Sequence, residues 1–374
     1  MTSLSPSTPR LADAERGYLD RARELAKRGW GHVHPNPMVG CLLVKDGVVV
    51  GEGYHKEFGG PHAEIVALEA ARSQAEGATA YVTLEPCNHQ GKTPPCAHAL
   101  LKAGIARVVY GAADPGEASG GGARTLVAGG VEVVGPVLDP ALARAENPAF
   151  FHTATRRTPF VALKLAQSLD GFIARDAGGP TPITGPEAQR AVHALRSGFD
   201  AVWVGAGTAR ADDPRLTVRM AEPGRTPPAR MVLDPRAQMP SDAAVLADAA
   251  AVPVHVFTRR DARELELERL EAVGAHVHPV AFDENGLELD AVLSLAWGLG
   301  LRAILCEGGA RLGSNLLNQD LAQRIYLWLA PRALGSGVPA FPGVSPGVWD
   351  RFHPALPPTL HGRDTLLVLD REVE

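Results

Sequence analysis

Apolar positions in the first half of the chain follow two different periods. From Leu11 to Arg28 they recur every three or four residues, as in an amphipathic helix. Further on, two short apolar runs flank Asp46-Gly47, a dipeptide that favours a tight β-hairpin turn. The other predicted elements are helices at His62–Ser73 and Cys96–Ala103 and strands at Ala80–Leu84, Arg107–Gly111 and Val131–Val134. This alternation predicts an α/β domain.

The second half alternates in the same way, and no sequence repeat relates the two halves. Its predicted helices are Pro186–Arg196 and Ala262–Val273, and its predicted strands are Phe160–Leu165, Ala201–Val204, Arg230–Leu233, Val254–Thr258, Ala303–Cys306 and Ile325–Ala330. With 374 residues, the chain is too long for one ordinary domain. A polar stretch that ends in Pro159 marks the boundary. We therefore expect a disordered, Ser/Thr/Pro-rich tail at residues 1–15 and α/β domains at 16–152 and 153–374.

Composition narrows the classes of function. The net charge is −5 and the basic residues form no run, which argues against a nucleic-acid partner. No run of eighteen apolar residues occurs, so we expect no membrane span. The first residues lack a basic start followed by an apolar stretch, and four cysteines do not make a disulfide scaffold. We therefore expect a cytoplasmic protein with reduced thiols.

Four residues of the first half have the types and spacing of a catalytic zinc site. His62 and Glu64 form an H-x-E motif at the start of a predicted helix, and Cys87 and Cys96 follow the next strand. One imidazole and two thiolates leave a fourth zinc position open for water. A glutamate two residues from the histidine can move protons to and from that water, as in zinc deaminases. The spacer between the cysteines is longer than the two residues of the usual deaminase motif.

Two other interpretations of this region can be compared with a catalytic zinc site. His55 or His89 could complete a purely structural zinc site with four protein ligands. The run Gly91-Lys92-Thr93 resembles the end of a phosphate-binding loop. However, Pro86 replaces the first glycine of that loop, and prolines follow where its helix should begin.

The distribution of basic residues singles out Lys164 in the second half. The chain has 31 arginines and six lysines, and Lys164 is the only lysine after Lys102. A lone lysine in an arginine-rich chain can be there for its chemistry, with a surface position as the alternative. Arg259 and Arg260 follow a predicted strand and could contact a phosphate of a bound nucleotide.

From about Arg21 onwards, these motifs resemble the bifunctional deaminase-reductase of riboflavin biosynthesis. The matching segments are Pro35–Gly40, Gly51–His55, His62–Glu64, Pro86–Cys96 with its long spacer, Lys164–Gly171, Ile183-Thr184, Gly207–Pro214, Leu216–Arg219 and Glu307–Gly309. The resemblance implies a cytidine-deaminase-like three-layer α/β/α domain followed by a dihydrofolate-reductase-like α/β domain. It also implies zinc-dependent removal of the 2-amino group of a diaminopyrimidinone with a phosphoribosylamino arm. Reduction of the ribosyl arm to ribityl with NADPH would follow.

The resemblance assigns roles residue by residue. In the deaminase, His62, Cys87 and Cys96 would bind zinc, Glu64 would be catalytic, and Asn36, His55, His89 and Lys92 would contact the substrate. In the reductase, Lys164 and Asp170 would be catalytic, and Arg196, Leu216, Arg219 and Glu307 would contact the substrate. The NADPH contacts would be Ala166, Pro182, Thr208, Asp212, Gly308 and Gly309. Arginine suits a phosphate because its planar fork donates two hydrogen bonds, and a glycine turn before a helix suits a pyrophosphate.

Simpler roles compete with several of these assignments. Asn36 and Asp170 could be turn residues, Asp212 could cap a turn, and His55, His89, Arg196, Arg219 and Glu307 could be solvated surface groups. For partners, we expect small-molecule pyrimidine phosphoribosyl substrates, no nucleic acid, no membrane, and other copies of the same chain in a homo-oligomer.

One departure from the family pattern bears on the second activity. Relatives often carry Ser-x-Trp before Ile183-Thr184, whereas this chain has Pro180-Thr181-Pro182, which offers the cofactor a smaller face than the indole ring of tryptophan. A deaminase with a degenerate reductase domain is therefore one alternative function. A nucleic-acid-editing deaminase or a zinc-bound binding module is another, and the acidic net charge argues against it.

Overall fold

The computed structural model describes residues 11–89, 94–116, 119–176, 179, 181–284 and 286–372. Contacts divide the chain into two units, one that ends at Arg156 and one that begins at Arg157. Each unit has its own sheet and its own hydrophobic core, so the α/β class predicted for both halves is confirmed. No helix in the described part of the chain combines the length and apolar character that a bilayer-spanning helix needs.

The first unit is a sheet between two helical layers. Its elements are α1 (Asp13–Ala26), β1 (Gly40–Lys45), β2 (Val48–Tyr54), α2 (Ala63–Ala71), β3 (Thr79–Leu84), α3 (Cys96–Lys102), β4 (Arg107–Ala112), α4 (Gly122–Ala128), β5 (Glu132–Val134), α5 (Pro140–Glu146) and α6 (Pro148–Thr155). The strand order is β2-β1-β3-β4-β5, with β1 antiparallel to both neighbours and β3, β4 and β5 parallel. α1 packs on one face of the sheet, and α2, α3 and α4 pack on the other. This is the three-layer arrangement that the resemblance implies.

Two local features fix the start of this sheet. Asp46 and Gly47 join β1 to β2, and their φ angles of 51° and 77° are both positive, as a type I′ hairpin turn requires. Gly40, at the start of β1, lets α1 lie close to the sheet, because an added Cβ would be 1.9 Å from the carbonyl oxygen of Ala22. A side chain at residue 40 would therefore push α1 away from β1.

The predicted disordered tail at residues 1–15 is wrong at its C-terminal end. Leu11 is buried against the core, and α1 begins at Asp13. Glu15 stabilises the start of this helix, because its carboxylate accepts from the backbone N–H of Ala12 and pairs with Arg107. Residues 1–10 lie outside the described residues.

The predicted domain boundary at 152/153 falls inside α6, four residues before the division between the units. The first polar residues of this stretch belong to the helix. The hydroxyl of Thr153 donates to the carbonyl of Ala149, and that of Thr155 donates to the carbonyl of Phe151, one helical turn earlier. The polar side chains therefore bond within the helix instead of ending it.

The second unit is built on a larger, mostly parallel sheet. Its elements are β6 (Phe160–Ser168), β7 (Phe172–Ala174), α7 (Pro186–Arg196), β8 (Ala201–Gly205), α8 (Ala206–Asp212), β9 (Ala229–Leu233), β10 (Val254–Arg259), α9 (Glu264–Glu271), β11 (His276–Val280), β12 (Phe282–Asp283), β13 (Gly286–Leu287), α10 (Leu289–Gly298), β14 (Ala303–Cys306), α11 (Ala310–Asn318), β15 (Arg324–Ala330), β16 (Val338–Pro339), α12 (Pro346–Trp349), β17 (Phe352–His361) and β18 (Asp364–Arg371). The strand order of the main sheet is β11-β10-β9-β8-β14-β6-β15-β18-β17.

The order of the central strands positions a ligand site. β6, β14 and β8 are adjacent and parallel, and β14 lies between two strands that come much earlier in the sequence. From β8 the chain continues outward on one side of β14, and β15 lies on the other side of β6. Ligands of open α/β sheets bind at the carboxyl ends of strands where the order reverses in this way. The site is therefore expected beyond β6, β14 and β8.

Two histidines of the outer strands contact each other. Nδ1 of His255 on β10 lies 3.0 Å from Nε2 of His278 on β11, and His255 is buried. Burial, followed by the proximity of His278 and His276, lowers the pKa of His255 to about 4. Burial also lowers the pKa of His278. The folded chain therefore holds this pair neutral at pH values where an unfolded chain protonates histidine.

We expect acid to destabilise the second unit through this pair. The pKa of His255 is about 4 in the folded chain against an ordinary value of 6.5, so between these values the unfolded chain binds more protons. The contribution of His255 to the free energy of unfolding is thus fully present above pH 6.5 and is lost as the pH falls towards 4. The His255→Asn variant keeps a polar atom at the Nδ1 position, and its melting temperature should fall less over this range than that of the wild type. The exposed His353→Asn is the matched control, and an equal fall in His255→Asn would contradict the account.

Candidate active sites

The three predicted zinc ligands meet beside the carboxyl end of β3. His62 precedes α2 as its N-cap, Cys96 is the first residue of α3, and Cys87 lies in the turn after β3. Nδ1 of His62 is 3.5 Å from Sγ of Cys87 and 3.3 Å from Sγ of Cys96. Tetrahedral zinc with ordinary bond lengths separates nitrogen and sulfur ligands by about 3.6 Å. The three side chains therefore fit a zinc ion, and the described residues contain no other such cluster of three His, Cys, Asp or Glu side chains.

The charges of the two thiols also favour a bound cation. Contacts from the Cys96 thiol and the His62 ring outweigh burial and lower the pKa of Cys87 to about 4. The pKa of Cys96 is raised, first by its contact with Cys87 and then by burial. One thiol therefore ionises at the expense of the other. A divalent cation supplies the positive charge that both thiolates need.

Glu64 lies in the first turn of α2, two residues after the histidine ligand. It is 3% exposed. Burial, and then the negative charge of Cys87, raise the pKa of Glu64 to about 7. A carboxyl group with this pKa can both accept and donate a proton near neutral pH.

Asn36 and His55 form a hydrogen-bonded pair in the first unit. His55 is 3% exposed, and both of its ring nitrogens are engaged. Nδ1 lies 3.0 Å from the carbonyl oxygen of Pro61, which only accepts, so Nδ1 donates and Nε2 accepts from the Asn36 amide at 3.1 Å. The structure therefore places His55 behind Asn36, where it orients the amide. His89 is exposed, and Lys92 lies outside the described residues.

Glu85 also shapes this site, and sequence reasoning gave it no role. Its carboxylate accepts from the backbone N–H groups of Gly121 and Ala123, at 3.1 and 3.0 Å. Gly122 lies so close to the motif that an added Cβ would be 1.8 Å from the carbonyl oxygen of Pro86. Glu85 and Gly122 together fix the turn that carries Cys87. The Glu-Pro-Cys motif and the glycine run are the sequence signals that could have indicated this contact.

In the second unit, Lys164, Glu307 and Arg196 come together where β14 ends beside the middle of β6. Arg196 forms a bidentate ion pair with Glu307, at 2.6 and 3.0 Å, and Nζ of Lys164 is 3.9 Å from Oε2 of the same carboxylate. Burial raises the pKa of Glu307, but Arg196 and Lys164 outweigh it and hold the value at about 2. Burial lowers the pKa of Lys164. Glu307 is therefore ionised, and the two basic side chains of the cluster share this one carboxylate.

Arg219 extends this positive region. It is exposed, and its Nη1 donates to the hydroxyl of Thr217 at 2.7 Å. Burial, and then the positive charges of Arg196 and Arg215, lower the pKa of Arg219. Several cations at close range with few anions between them form a site for an anionic ligand. Sequence reasoning missed Arg215.

Four of the predicted NADPH contacts lie at the ends of β8 and β14. Gly309 faces Thr208 so closely that an added Cβ would be 3.0 Å from the threonine hydroxyl. Gly308-Gly309 leads into α11, whose first-turn N–H groups suit a phosphate. Asp212 ends α8, near enough for its charge to act on Lys164. A glycine cradle between two strand ends beside a cationic cluster fits a dinucleotide cofactor.

Three other predicted site residues, Asp170, Leu216 and Ala166, have surroundings unlike those of the Lys164 cluster. Asp170 is exposed and accepts from the hydroxyl of Ser168 and from the backbone N–H groups of Leu334 and Gly335, which supports its alternative role as a turn residue. Leu216 is 2% exposed and packs in the core of the unit. Ala166 packs against α7 and the sheet, two residues beyond Lys164 on the same strand.

Pro182 and Arg259 are also candidate contacts of the cofactor. The carbonyl oxygen of Pro182 accepts from Nη1 of Arg332 at 2.9 Å, and Pro180 lies outside the described residues. Arg259 forms a bidentate pair with Asp261, at 2.8 and 2.6 Å, and stacks 3.8 Å above the ring of Phe282. Its guanidinium is therefore already engaged.

Comparison with protein families separates the same two parts of the chain. Residues 13–112 match the family described as the cytidine and deoxycytidylate deaminase zinc-binding region. Residues 159–352 match the RibD C-terminal domain family. The fold and the sites thus define a two-domain enzyme in which a zinc-dependent deaminase is joined to a reductase.

Relatives extend this likeness over most of the chain. The riboflavin biosynthesis protein RibD of Aquifex aeolicus is 39% identical over 88% of this chain and 90% of its own, and that of Escherichia coli is 38% identical over 87% and 91%. The chain belongs to the RibD family of riboflavin biosynthesis proteins. It is a bifunctional deaminase and reductase that acts on small molecules, with zinc and NADPH as cofactors.

Solved structures agree with this assignment. Acinetobacter baumannii RibD, with 34% identity, aligns over 96% of this chain and 99% of its own with a TM-score of 0.80. A Thermotoga maritima protein gives the same figures and is described as a diaminohydroxyphosphoribosylaminopyrimidine deaminase/5-amino-6-(5-phosphoribosylamino)uracil reductase. Nothing in these likenesses supports the alternative of a degenerate reductase domain.

We predict that zinc content depends on the clustered cysteines and not on the buried Cys41. Cys96→Ala should lower the zinc retained after dialysis to a small fraction of the wild-type content, because two ligands hold the ion far less tightly than three. Cys41→Ala, in the same unit, is the matched control and should retain zinc. Atomic absorption measures both. Full zinc in Cys96→Ala would mean that the ion is bound elsewhere.

Proposed function

We propose that the first unit removes the 2-amino group of a 2,5-diamino-6-(5-phosphoribosylamino)pyrimidin-4(3H)-one, and that the second unit reduces the ribosyl arm of the product with NADPH. The main support for this proposal is that one chain contains both sites. In the first unit, His62, Cys87 and Cys96 lie beside the buried Glu64. In the second unit, the Lys164 cluster lies beside the turn Gly308-Gly309. The two activities in the description of the Thermotoga relative support the same order of steps.

In the deaminase, His62, Cys87 and Cys96 would hold the zinc ion. Bound zinc lowers the pKa of a water molecule, which makes that water a nucleophile near neutral pH. Glu64 takes a proton from the attacking water and gives it to the departing amino group, so that ammonia leaves. Its pKa of about 7 suits both transfers.

Asn36 would orient the pyrimidine ring over this site. Because its amide N–H group donates to Nε2 of His55, its carbonyl oxygen is presented to accept from an amino or ring N–H group of the substrate. His55 contributes by fixing the amide. This role differs from the direct substrate contact that the resemblance implies for His55.

In the reductase, Lys164 would act at the reacting end of the sugar. NADPH supplies the hydride. The Lys164 ammonium would donate its proton to the ribose ring oxygen as the bond between that oxygen and C1′ breaks, and the hydride would add to C1′, which keeps its bond to the amine nitrogen. Burial lowers the pKa of Lys164 and so favours this donation. Glu307, held by Arg196, would accept from sugar hydroxyl groups.

The positive region around Arg219 would bind the phosphate of the sugar arm. Arg219 is exposed and has cationic neighbours, and a dianionic phosphate would offset their mutual repulsion. Three N–H groups of Arg196 already donate to Glu307 and to the carbonyl oxygen of Thr217. Arg196 would therefore contribute less than Arg219 to phosphate binding.

We also infer that the chain works in the cytoplasm as a homo-oligomer. The zinc ligands include two thiols, which a reducing compartment keeps available. Most soluble oligomers are homo-oligomers with closed symmetry. Light scattering of the purified chain gives its mass in solution, and a monomer across the working concentration range would reject the second inference.

Mass spectrometry of the reaction products tests the proposed function. The zinc-loaded chain is incubated with the diaminopyrimidinone phosphoribosyl substrate, with and without NADPH. Replacement of an amino group by oxygen without NADPH, and a further gain of two hydrogen atoms with NADPH, are the expected results. Deamination without reduction would revive the alternative of a degenerate reductase. No change in either arm would reject the substrate.

We expect Glu64→Gln to keep zinc and to lose deamination. The ligands remain, but an amide cannot move protons, so the rate should fall about 10²-fold or more. The matched control is Glu69→Gln, an exposed change on the same helix, which should keep the wild-type rate. A Glu64→Gln chain with near-normal ammonia release would remove the proposed role from this residue.

Lys164→Ala should spare deamination and impair reduction. Because Lys164 lies in the second unit, ammonia release should stay at the wild-type rate, while kcat/KM for NADPH-dependent reduction falls about 10²-fold or more. Lys102→Ala, an exposed change, controls for loss of lysine as such. Equal damage to both activities by Lys164→Ala would point to misfolding and count against the assignment.

A further inference from the structure

The segment Leu216–Arg219 is attached to α7 by two hydrogen bonds. Nη1 of Arg196 donates to the carbonyl oxygen of Thr217 at 2.8 Å, and the backbone N–H of Arg219 donates to Nδ1 of His193 at 3.1 Å. His193 and Arg196 are three residues apart on the helix and therefore lie on one face of it. The helix thus holds the main chain at two points within three residues.

His193 is buried, and its Nδ1 atom is the acceptor in this contact. The residue is 6% exposed, and burial, followed by the charges of Arg196 and Arg219, lowers its pKa. A neutral imidazole has one acceptor nitrogen, and here it is Nδ1, because that atom receives the N–H of Arg219. Loss of this acceptor would leave a backbone N–H unpaired beside buried groups.

The attached segment does not hold its shape unaided. Leu216 has a φ of 53°, in the left-handed region that a branched residue with a Cβ adopts at a cost. Its side chain is anchored in the core, whereas the side chain of Arg219 is exposed. The hydrogen bond from Arg219 to His193 is the contact that fixes the main chain at the residue carrying the exposed guanidinium.

We infer that His193 is a positioning residue for substrate phosphate in the reductase, and that it acts by fixing the backbone of Arg219. The inference rests on the proposed function, since the phosphate belongs to the proposed substrate. The ligand class is a sugar phosphate. His193 is buried, and it acts through the backbone of Arg219 instead of contacting the phosphate itself.

Two variants distinguish the effect of losing the Nδ1 acceptor from the effect of changing the imidazole ring. In His193→Asn, the Oδ1 atom is as many bonds from Cα as Nδ1 is and can accept from the same N–H. In His193→Phe, a ring of similar size remains but the acceptor is lost. We expect His193→Phe to raise KM for the deaminated phosphoribosyl substrate about ten-fold with little change in kcat. His193→Asn should stay near the wild-type KM.

The same variants are measured with the dephosphorylated substrate and with ribose 5-phosphate. KM for the dephosphorylated compound should be equal in wild type, His193→Asn and His193→Phe, because the affected contact is missing. Binding of ribose 5-phosphate to the full chain, followed by calorimetry, should weaken about ten-fold in His193→Phe only. Ammonia release should be unchanged throughout, since it belongs to the other unit.

Three results would overturn the inference. These are an unchanged KM in His193→Phe, an equal rise in both variants, and an equal rise for the phosphorylated and dephosphorylated substrates. A wild-type chain that binds ribose 5-phosphate but reduces nothing would reject the proposed reduction. In that case weaker binding by His193→Phe, and not by His193→Asn, would still support the positioning role.

Discussion

Parallel pairing of strands is the interaction on which both sites depend. In the first unit, β3 and β4 pair in parallel, so the turn with Cys87 leaves the same sheet edge as the loop held by Glu85. In the second unit, β14 lies between β6 and β8, and Cys306 pairs with Leu163. Glu307 therefore emerges beside Lys164. Residues far apart in sequence meet because the carboxyl ends of parallel strands share one edge.

The two sites have opposite electrostatic character. In the first unit, Cys87, Cys96 and Glu64 lie close together, and each becomes negative when it ionises. Their mutual proximity contributes to the shifts in their pKa values. Lys164 and Arg196 gather positive charge around a single buried carboxylate in the other unit. The first arrangement suits a cation, and the second suits phosphorylated ligands. One chain thereby serves a metal-dependent step and a step with an anionic substrate and cofactor.

Local patterns along the chain were sufficient to predict most elements and the zinc cluster. The hairpin at Asp46-Gly47 depends on adjacent residues, and an H-x-E motif places its histidine and glutamate within one turn. The β17–β18 hairpin, which closes the edge of the second sheet, was not predicted.

Contacts between distant residues could not be predicted in this way. The Asn36–His55 hydrogen bond and the bidentate pair of Arg196 with Glu307 exist only after the sheets have formed. Asp170 illustrates the same limit. Its motif suggests catalysis, but its carboxylate accepts from backbone groups more than 160 residues away, at Leu334 and Gly335.

Simultaneous measurement of ammonia and NADPH tests most directly that one chain deaminates and then reduces. With the diaminopyrimidinone phosphoribosyl substrate, the account predicts that ammonia appears first and without NADPH. When NADPH is present, the amount oxidised should approach the amount of ammonia released. Oxidation of NADPH that precedes ammonia release, or that proceeds without it, would contradict the account.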